Sequence, residues 1–443
     1  MKRHIFQSLT TWQHKKYRKP LIIKGARQIG KTYILKELGK NQFPAYFYIN
    51  FERDQTLHQL FKKDLAPARL LSDLNFYFRT TINPNQDLLI FDEIQACPNA
   101  LTSLKYFHEE MPELALTCAG SLLGITLNAG SFPVGKVDFL NMYPMTFLEF
   151  LLGTGEDQLY KLLNHLTLES EIPLTAHNQL WDYFKLYLII GGLPEIVNYY
   201  AQNKQNLNSS LLFIRQKQSE LILAYYADIA KHSGKINAMH IDRVWRSVPN
   251  QLSTQHNHSA RRFTFKGIIP GIDRYSRLAN VIDWLETANL LVKQSITHCA
   301  QLPLSAYTKE NIFKLFMFDV GLLGAMIDLS PKVILDYDYG SYKGYFAENF
   351  VAQAFLASGL THLYSWHEGS SEIEFLKEVN GLLLPVEVKS GWVTQAKSLK
   401  VFNDKYHPPY RTIFSAKNLL IDKKNLIHYY PLYLAERFPL PEN

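Results

Sequence analysis

Residues Gly25 to Thr32 read G-A-R-Q-I-G-K-T, which matches the phosphate-binding pattern G-x-x-x-x-G-K-[ST] at every fixed position. An apolar run, Leu21 to Ile23, precedes this loop, and the residues from Thr32 to Leu38 follow it with helical periodicity. A strand, a glycine turn and a helix in this order direct successive backbone N–H groups at an anion near the helix N-terminus. The stretch therefore predicts an α/β fold with a nucleotide-phosphate site.

Each part of this P-loop has an expected role. The glycines allow the backbone to turn, the Lys31 ammonium is expected on the β- and γ-phosphates of ATP, and the Thr32 hydroxyl is expected on Mg²⁺. We expect the whole loop to contact the nucleotide: Gly25, Ala26, Arg27, Gln28, Ile29, Gly30, Lys31 and Thr32. The alternative is a glycine turn that only joins a strand to a helix.

A second apolar run ends in two carboxylates, the Walker B pattern. Residues 87–93 read D-L-L-I-F-D-E. Four successive apolar residues are typical of a strand buried on both faces, as in a parallel sheet covered by helices. Asp92 is expected to hold Mg²⁺ through water, and Glu93 to act as the general base that activates water for hydrolysis of ATP. The alternative is that both acids only stabilise the start of a helix.

A third apolar run, Leu114 to Ser121, predicts another strand. We expect this strand to lie between the P-loop strand and the strand that ends in Asp92. Ser121, at its end, is predicted to sense the γ-phosphate, although a Gly-Ser pair after a strand is also an ordinary turn.

Several further motifs, taken with the P-loop, make the chain resemble a prokaryotic family of AAA-type ATPases. They are F-D-E-I-Q (91–95), A-G-S (119–121), Y-P-M-T-F-L-E-F (143–150), G-G-L-P-E (191–195), S-V-P-N-Q-L (247–252), K-L-F-M-F-D-V-G-L-L (314–323), G-Y-F-A-E-N-F-V (344–351) and P-V-E-V-K-S-G (385–391). The resemblance covers nearly the whole chain. It implies an archaeal-ATPase-like front half and a restriction-endonuclease-like fold in the back half. We expect residues 1–205 to form the ATPase domain, including a small helical lid from about Thr146 to Tyr200.

One position departs from the family's pattern. An arginine usually follows the glycine at position 135, and this chain has Lys136 there. If this residue acts on the γ-phosphate of a neighbouring subunit, lysine keeps the charge but lacks the planar fork of an arginine finger.

Composition limits the class of protein. The chain has 443 residues, 47% of them apolar and 20% charged, which predicts a folded protein of two or three domains. Three cysteines without a C-x-x-C pair favour a reducing cytoplasm. We expect no membrane segment, because the longest uncharged stretch, residues 114–135, holds four glycines. The net charge of +7 permits contact with DNA or RNA, and the sequence permits oligomerisation without indicating it.

Residues 206–330 are predicted to form a winged-helix-like domain. Three segments have helical spacing, Ser209–Ala230, Ala238–Val248 and Tyr275–Ala288, and a strand-like run at 290–292 follows them. Such folds contact DNA and also proteins.

The densest basic stretch, residues 261–266, reads R-R-F-T-F-K. On a strand, Arg262, Thr264 and Lys266 would share one face, and Phe263 and Phe265 the other. Two interpretations of this stretch are open. It contacts nucleic acid, or it is a half-buried strand whose polar face is solvated.

Residues 331–443 carry acids and a lysine in the order of the PD-(D/E)xK nucleases, which this part of the chain resembles. Glu348 lies on a predicted amphipathic helix, Glu374 on a strand, and Glu387 and Lys389 on the next strand. The resemblance implies an α/β domain in which Glu348, Glu374 and Glu387 bind Mg²⁺. Glu374, Glu387 and Lys389 would then be catalytic, with Lys389 orienting the attacking water.

Glu374 stands where that pattern usually has aspartate. The alternative for this domain is a fold that keeps the network of acids and lysine but cuts nothing. In that case Glu387 and Lys389 form a simple salt bridge.

The combined expectation is a cytoplasmic ATPase that hydrolyses ATP with Mg²⁺, is coupled to a nuclease-like domain and associates with nucleic acid. Two alternatives stay open. One is a nucleotide-gated interaction module without turnover, and the other is an Mg²⁺-dependent nuclease that ATP only regulates.

Overall fold

The computed structural model describes residues 1–120, 135–233, 235–254, 262–392 and 397–442. The chain divides into two compact units. The amino-terminal unit comprises residues 2–143 and 287–289, and the carboxy-terminal unit comprises residue 1, residues 144–286 and residues 290–443. The helices predicted as a lid, from about Thr146 to Tyr200, therefore fall in the carboxy-terminal unit.

The amino-terminal unit alternates strands and helices. Its elements are α1 (Ile5–Gln13), β1 (Leu21–Lys24), α2 (Lys31–Gln42), β2 (Tyr46–Asn50), α3 (Pro67–Phe78), β3 (Leu88–Asp92), α4 (Pro98–Glu110), β4 (Ala115–Ala119) and β5 (Asp138–Asn141). The five strands form one sheet in the order β2-β3-β4-β1-β5, and every pair is parallel. The predicted position of the third strand, between β1 and β3, is confirmed.

The sheet register places the predicted nucleotide residues at one edge. Ile23 on β1 and Asp92 on β3 are both aligned with Ala119 on β4, and Asn50 on β2 is aligned with Asp92. Because parallel strands end at the same edge, the loop after β1 and the acids at the end of β3 lie together. The apolar faces of α3 and α4 pack on this sheet around Phe91, which is fully buried.

The carboxy-terminal unit begins with helices and ends in a mixed sheet. Its helices are α5 (Phe147–Gly153), α6 (Asp157–Asn164), α7 (Leu174–Ile190), α8 (Pro194–Gln202), α9 (Leu207–Ser233), α10 (Lys235–Thr254), α11 (Tyr275–Thr287), α12 (Val320–Met326), α13 (Pro331–Leu335), α14 (Tyr342–Ala357) and α15 (Lys397–Tyr406). Its strands are β6 (Leu291–Thr297), β7 (Thr308–Met317), β8 (Leu363–Glu368), β9 (Ser371–Val379), β10 (Leu382–Val388), β11 (Arg411–Ser415), β12 (Leu420–Asp422) and β13 (Ile427–Pro431).

The eight strands have the order β12-β13-β11-β10-β9-β8-β6-β7. The winged-helix expectation is not confirmed by this topology. The helices α9 to α11 and the antiparallel β6–β7 pair are present, but β6 also pairs in parallel with β8. The hairpin is thus part of the large sheet and not a separate wing.

Helix α14 corrects another expectation, because it is buried on all sides instead of being amphipathic. Every residue from Tyr345 to Phe355 is buried. Its two buried amide side chains have backbone partners: Asn349 pairs with the backbone of Met317, and Gln353 accepts a hydrogen bond from the Val320 N–H. Buried amides in folded proteins are usually paired in this way.

Two of the motifs in the sequence meet at Asp319, which is buried. Its carboxylate accepts hydrogen bonds from the N–H groups of Gly192 at 2.7 Å and Leu322 at 3.0 Å. Gly191 has φ 74°, and a Cβ there would lie 2.2 Å from Asp319 Oδ1. The glycine pair therefore serves the close approach of α7 to the start of α12. Within the described residues, no helix combines the length and apolar composition needed to cross a membrane.

Candidate functional site

The P-loop adopts a conformation that requires both of its glycines. Gly25 has φ 151°, and a Cβ at this position would lie 2.2 Å from the carbonyl oxygen of Met142. Gly30 has φ 95° and caps the N-terminus of α2. The loop therefore leads directly into a helix N-terminus, where backbone N–H groups favour an anion such as a phosphate.

Lys31 is buried at the start of α2. Its ammonium donates hydrogen bonds to the carbonyl oxygens of Gly25 at 3.0 Å and Ala26 at 2.6 Å, both in its own loop. The charge is therefore held against the loop in which the sequence predicts the phosphates of ATP.

Arg3 holds this loop from outside and has no local sequence signal that predicts the role. Its guanidinium is buried and donates to the carbonyl oxygen of Ile29 at 2.9 Å and to that of Tyr143 at 2.6 Å. Arg3, two residues before α1, thus ties the P-loop to the segment that follows β5.

Asp92 is the centre of a hydrogen-bond network across β2, β3 and α2. Its Oδ2 accepts from Thr32 Oγ1 at 2.9 Å, from Tyr48 Oη at 2.7 Å and from Asn50 Nδ2 at 3.3 Å. The hydroxyl and carboxylate oxygens of Thr32 and Asp92 are ligand types that Mg²⁺ prefers, so this pair fits the predicted metal.

The contributions of Tyr48 and Asn50 were not predicted from the sequence. Burial and the hydrogen bond to Asp92 raise the pKa of Tyr48 to about 12. The phenol is therefore protonated at neutral pH and donates to the carboxylate.

Glu93 directly follows β3 and is held by a neighbour. It has φ 49°, in the left-handed region, and a 3-10 turn, Ile94–Ala96, follows it. Gln95 Nε2 donates to Glu93 Oε2 at 2.5 Å. Helix α4 begins only at Pro98 and has no acid in its first turn. This geometry argues against the alternative in which Glu93 only stabilises a helix start.

Two other predicted positions are separate from this network. Ser121 lies outside the described residues. Lys136 forms an ion pair with Glu109 at 3.1 Å, and this hydrogen bond lowers the pKa of Glu109. Lys136 precedes β5, whose far end at Asn141 is aligned with Lys24 beside the P-loop. Lys136 thus lies at the opposite end of the sheet from the phosphate loop of its own chain, and the finger role stays a prediction.

The carboxy-terminal unit brings Glu374, Glu387 and Lys389 together. The Lys389 ammonium forms an ion pair with Glu387 Oε1, and Glu374 Oε2 accepts a hydrogen bond from the Val388 N–H at 3.3 Å. Burial and the nearby Glu387 raise the pKa of Glu374 well above its ordinary value. Glu387 Oε2 is buried and has no hydrogen-bond partner in the described part of the chain.

Glu348, the remaining predicted metal ligand, contacts a lysine that the sequence analysis did not assign. Lys314 on β7 is buried, and its Nζ lies 3.3 Å from Glu348 Oε2 and 2.5 Å from Glu372 Oε1. Burial opposes the charge, but Glu348 and Glu372 raise the pKa of Lys314 above its ordinary value.

Among the described residues, no group of three or more His, Cys, Asp or Glu side chains is arranged to hold a metal ion. The metal-ligand roles of Glu348, Glu374 and Glu387 therefore stay predictions.

The basic stretch follows the predicted alternation without forming a strand. Arg262, Thr264 and Lys266 are exposed, whereas Phe263 is buried and its N–H donates to the carbonyl oxygen of Phe313 at 2.8 Å. The neighbouring position 261 lies outside the described residues.

Comparisons with known proteins support the interpretation of the amino-terminal part of the chain as an ATPase domain. Residues 17–151 match the profile of a family described as an AAA domain, and residues 182–333 and 343–434 match two families described as domains of unknown function. No curated protein matches the chain. The chain therefore contains an AAA domain, whose parallel sheet and P-loop are those of a P-loop ATPase.

Solved structures show distant likeness. A Walker-type ATPase of Pyrococcus abyssi is 14% identical, with 73% of this chain and 94% of that chain covered and a TM-score of 0.44. The Aeropyrum pernix ORC1 protein in complex with DNA is 12% identical, with 74% and 91% covered and a TM-score of 0.25. PCH-2 of C. elegans is 9% identical, with 47% and 65% covered and a TM-score of 0.27.

Proposed function

We propose that this protein binds ATP with Mg²⁺ and hydrolyses it at Lys31, Thr32, Asp92 and Glu93. One observation carries the proposal. The hydroxyl of Thr32 and the carboxylate of Asp92, 60 residues apart in the sequence, lie 2.9 Å from each other at the end of the P-loop. A hydroxyl and a carboxylate in contact beside a phosphate loop are what an Mg²⁺-nucleotide complex requires.

The roles of the side chains follow from their positions. When ATP binds, the Lys31 ammonium gives up its hydrogen bonds to the carbonyl oxygens of its loop and donates to oxygens of the β- and γ-phosphates. Bound Mg²⁺ supplies positive charge that offsets the charge of the phosphates. Glu93 accepts a proton from water, and the oxygen of that water forms a bond to the γ-phosphorus. The bond from this phosphorus to the bridging oxygen breaks, and its electron pair stays on ADP.

Calorimetry and a turnover assay on two variants test this proposal. Lys31→Ala is expected to lose tight binding of ATP·Mg²⁺ while circular dichroism stays unchanged. The matched control is Lys40→Ala, which removes an exposed lysine of the same helix. Glu93→Gln is expected to bind ATP but to hydrolyse it about 10²- to 10⁴-fold more slowly.

Unchanged ATP affinity in Lys31→Ala would remove the basis of the phosphate site. Tight binding of ATP by wild type without any turnover would instead favour the alternative of a nucleotide-gated interaction module.

A second proposal concerns nucleic acid, and it is supported by the exposed Arg262 and Lys266 beside a buried Phe263. We propose that this face contacts the phosphate backbone of DNA or RNA without sequence preference. Affinity should then fall steeply with salt, with a linear relation between log K and log salt.

Fluorescence anisotropy with labelled duplex and single strands, across a salt series, tests the second proposal. Arg262→Ala/Lys266→Ala should weaken binding and reduce the salt slope. The control, Lys62→Ala/Lys63→Ala, removes the same charge from exposed positions in the amino-terminal unit. Equal effects of the two double variants, or no binding at low salt, would contradict an interface at this face.

A further inference from the structure

Gln95 lies two residues after the proposed base, and its amide is oriented by that base. Nε2 donates to Glu93 Oε2 across 2.5 Å. The reverse orientation of the amide would place two oxygen acceptors against each other, so the contact with the carboxylate determines which atom is the nitrogen. Gln95 therefore restricts where the Glu93 carboxylate can point.

The other end of the same amide is an unused acceptor. Gln95 Oε1 is buried and has no hydrogen-bond partner in the described part of the chain. A buried carbonyl oxygen without a donor is unfavourable, so such atoms pair with a protein group or with water. Since Oε1 belongs to the amide that holds Glu93, its partner lies close to the base.

The backbone keeps the two side chains together. Glu93 takes a left-handed φ of 49°, and Ala96 N–H then donates to its carbonyl oxygen at 2.9 Å. Cys97 N–H donates to the Ile94 carbonyl oxygen at 3.0 Å. These bonds form one tight turn, in which residues 93 and 95 have defined directions. A non-glycine residue in the left-handed region is uncommon and is often found at functional sites.

We propose that Gln95 completes the site for the attacking water: its Nε2 fixes the Glu93 carboxylate, and its Oε1 accepts a hydrogen bond from that water. The inference rests on the proposed hydrolysis of ATP at this site. Water then donates one proton to Gln95 Oε1 as a hydrogen bond and transfers the other to Glu93. Its oxygen lone pair forms the bond to the γ-phosphorus, and ADP leaves with the electron pair of the broken bond.

Gln95→Met tests the role because methionine is also unbranched and similar in length but has neither the donor nor the acceptor. Its affinity for ATP·Mg²⁺ should stay within about threefold of wild type, whereas kcat should fall about 10- to 100-fold, as expected for the loss of a hydrogen bond to a charged group. Gln95→Glu should be at least as slow, because it places a second carboxylate beside Glu93.

The matched control is Gln13→Met, on α1 of the same unit. Gln13 Nε2 also makes one hydrogen bond, to the Gln42 carbonyl oxygen at 2.9 Å, and its Oε1 is also buried without a partner among the described residues. The kcat of Gln13→Met should equal that of wild type. A loss equal to that of Gln95→Met would mean that removing any buried amide slows this protein, and the inference would fall.

A double variant separates the water site from a purely structural role. Because both residues act on one water, Glu93→Gln/Gln95→Met should be no more than about threefold slower than Glu93→Gln alone. Additive losses, or a fall in ATP affinity that equals the fall in kcat/KM, would overturn the inference.

The proposed function and this inference fail in different ways. If Glu93→Gln slows turnover but Gln95→Met does not, only the role of Gln95 is wrong. If wild type has no turnover, both are wrong.

Discussion

The guanidinium of Arg3 donates a hydrogen bond to the carbonyl oxygen of Ile29 in the P-loop across 2.9 Å. A second bond, to the Tyr143 carbonyl oxygen at 2.6 Å, ties the loop to the segment after β5. Arg3→Met leaves both buried carbonyl groups without this donor. We expect a loss of about 2 kcal/mol in the free energy of unfolding. We also expect ATP·Mg²⁺ to bind about tenfold more weakly, because the loop that cradles the phosphates is less constrained.

Arg18→Met is the matched control for this prediction. Arg18 also donates to two backbone carbonyl oxygens of the same unit, those of Gln13 at 3.1 Å and Glu113 at 2.6 Å, and neither belongs to the P-loop. It should lower stability without changing ATP affinity, as measured by calorimetry. Equal weakening of ATP binding in both variants would contradict a specific role for Arg3.

Tyr48→Phe removes one of the three donors that Asp92 Oδ2 has among the described residues. Substitution of a residue that orients a metal ligand typically weakens metal binding about 10- to 100-fold. We therefore expect the Mg²⁺ concentration for half-maximal ATPase activity to rise about tenfold. Tyr46→Phe, on the same face of β2, is the control and should leave the Mg²⁺ requirement unchanged. A Tyr48→Phe variant with the wild-type requirement would show that Thr32 and Asn50 suffice to orient Asp92.

The P-loop and the acids after β3 can be predicted from the sequence because each role is encoded in one short stretch. Eight residues specify the loop, and an apolar run followed by Asp92 and Glu93 specifies the end of a buried strand. The position of β4 between β1 and β3 is a topological expectation that the sheet confirms. These parts depend on local pattern and on the few ways in which parallel strands can be ordered.

The supporting residues could not be predicted because their contacts form only in the folded chain. Arg3 is 26 residues from the carbonyl group that it binds in the loop, and Tyr48 is 44 residues from Asp92. Lys314 is 34 residues from Glu348 in the sequence. The apolar residues on either side of Lys314 did not indicate that its ammonium would be buried against that carboxylate. Helix α14 was predicted as amphipathic because periodicity does not show that both of its faces are covered.

Glu436 provides a prediction about pH. Its carboxyl is half-buried and accepts a hydrogen bond from the Leu148 N–H at 3.1 Å. Burial raises the pKa of Glu436 from an ordinary 4.5 to about 8, and Glu149 adds to the rise, while the Leu148 N–H and Arg437 oppose it. The folded state therefore holds this proton more tightly than the unfolded state. The stability that the protonated carboxyl contributes is lost as the pH rises from about 4.5 to about 8.

Glu436→Gln mimics the protonated form and does not titrate. Its free energy of unfolding minus that of wild type should increase by up to about 1.4 kcal/mol per pH unit across this window and stay constant above about pH 8. Urea unfolding from pH 5 to pH 9 measures the difference, with Glu378→Gln, an exposed position of the same unit, as the control. A difference that does not depend on pH would show that Glu436 is ionised in the folded protein at neutral pH.

The last prediction concerns the acids and lysines of the carboxy-terminal unit. Lys314, which is buried, lies between the carboxylates of Glu348 and Glu372, and Lys389 pairs with Glu387. A divalent cation on Glu348 would have to approach the Lys314 ammonium, and the two positive charges would repel each other. We therefore expect wild type to leave plasmid and RNA uncut in Mg²⁺ or Mn²⁺. We also expect these ions, without nucleotide, to leave the unfolding midpoint unchanged.

The variant Lys314→Met tests the role of this buried charge. It leaves Glu348 and Glu372 without their ammonium, and removing one partner of a buried ion pair costs about 3–5 kcal/mol. Lys389→Met, whose lysine is 30% exposed, is the control and should cost far less. Without repulsion from the Lys314 ammonium, the carboxylates of Glu348 and Glu372 should attract a divalent cation in Lys314→Met, so that Mg²⁺ raises the unfolding midpoint of this variant and not that of wild type. Cleavage of plasmid by wild type, abolished in Lys389→Ala, would instead show that the acids bind a catalytic metal beside Lys314, and the lysine would then be part of a nuclease site.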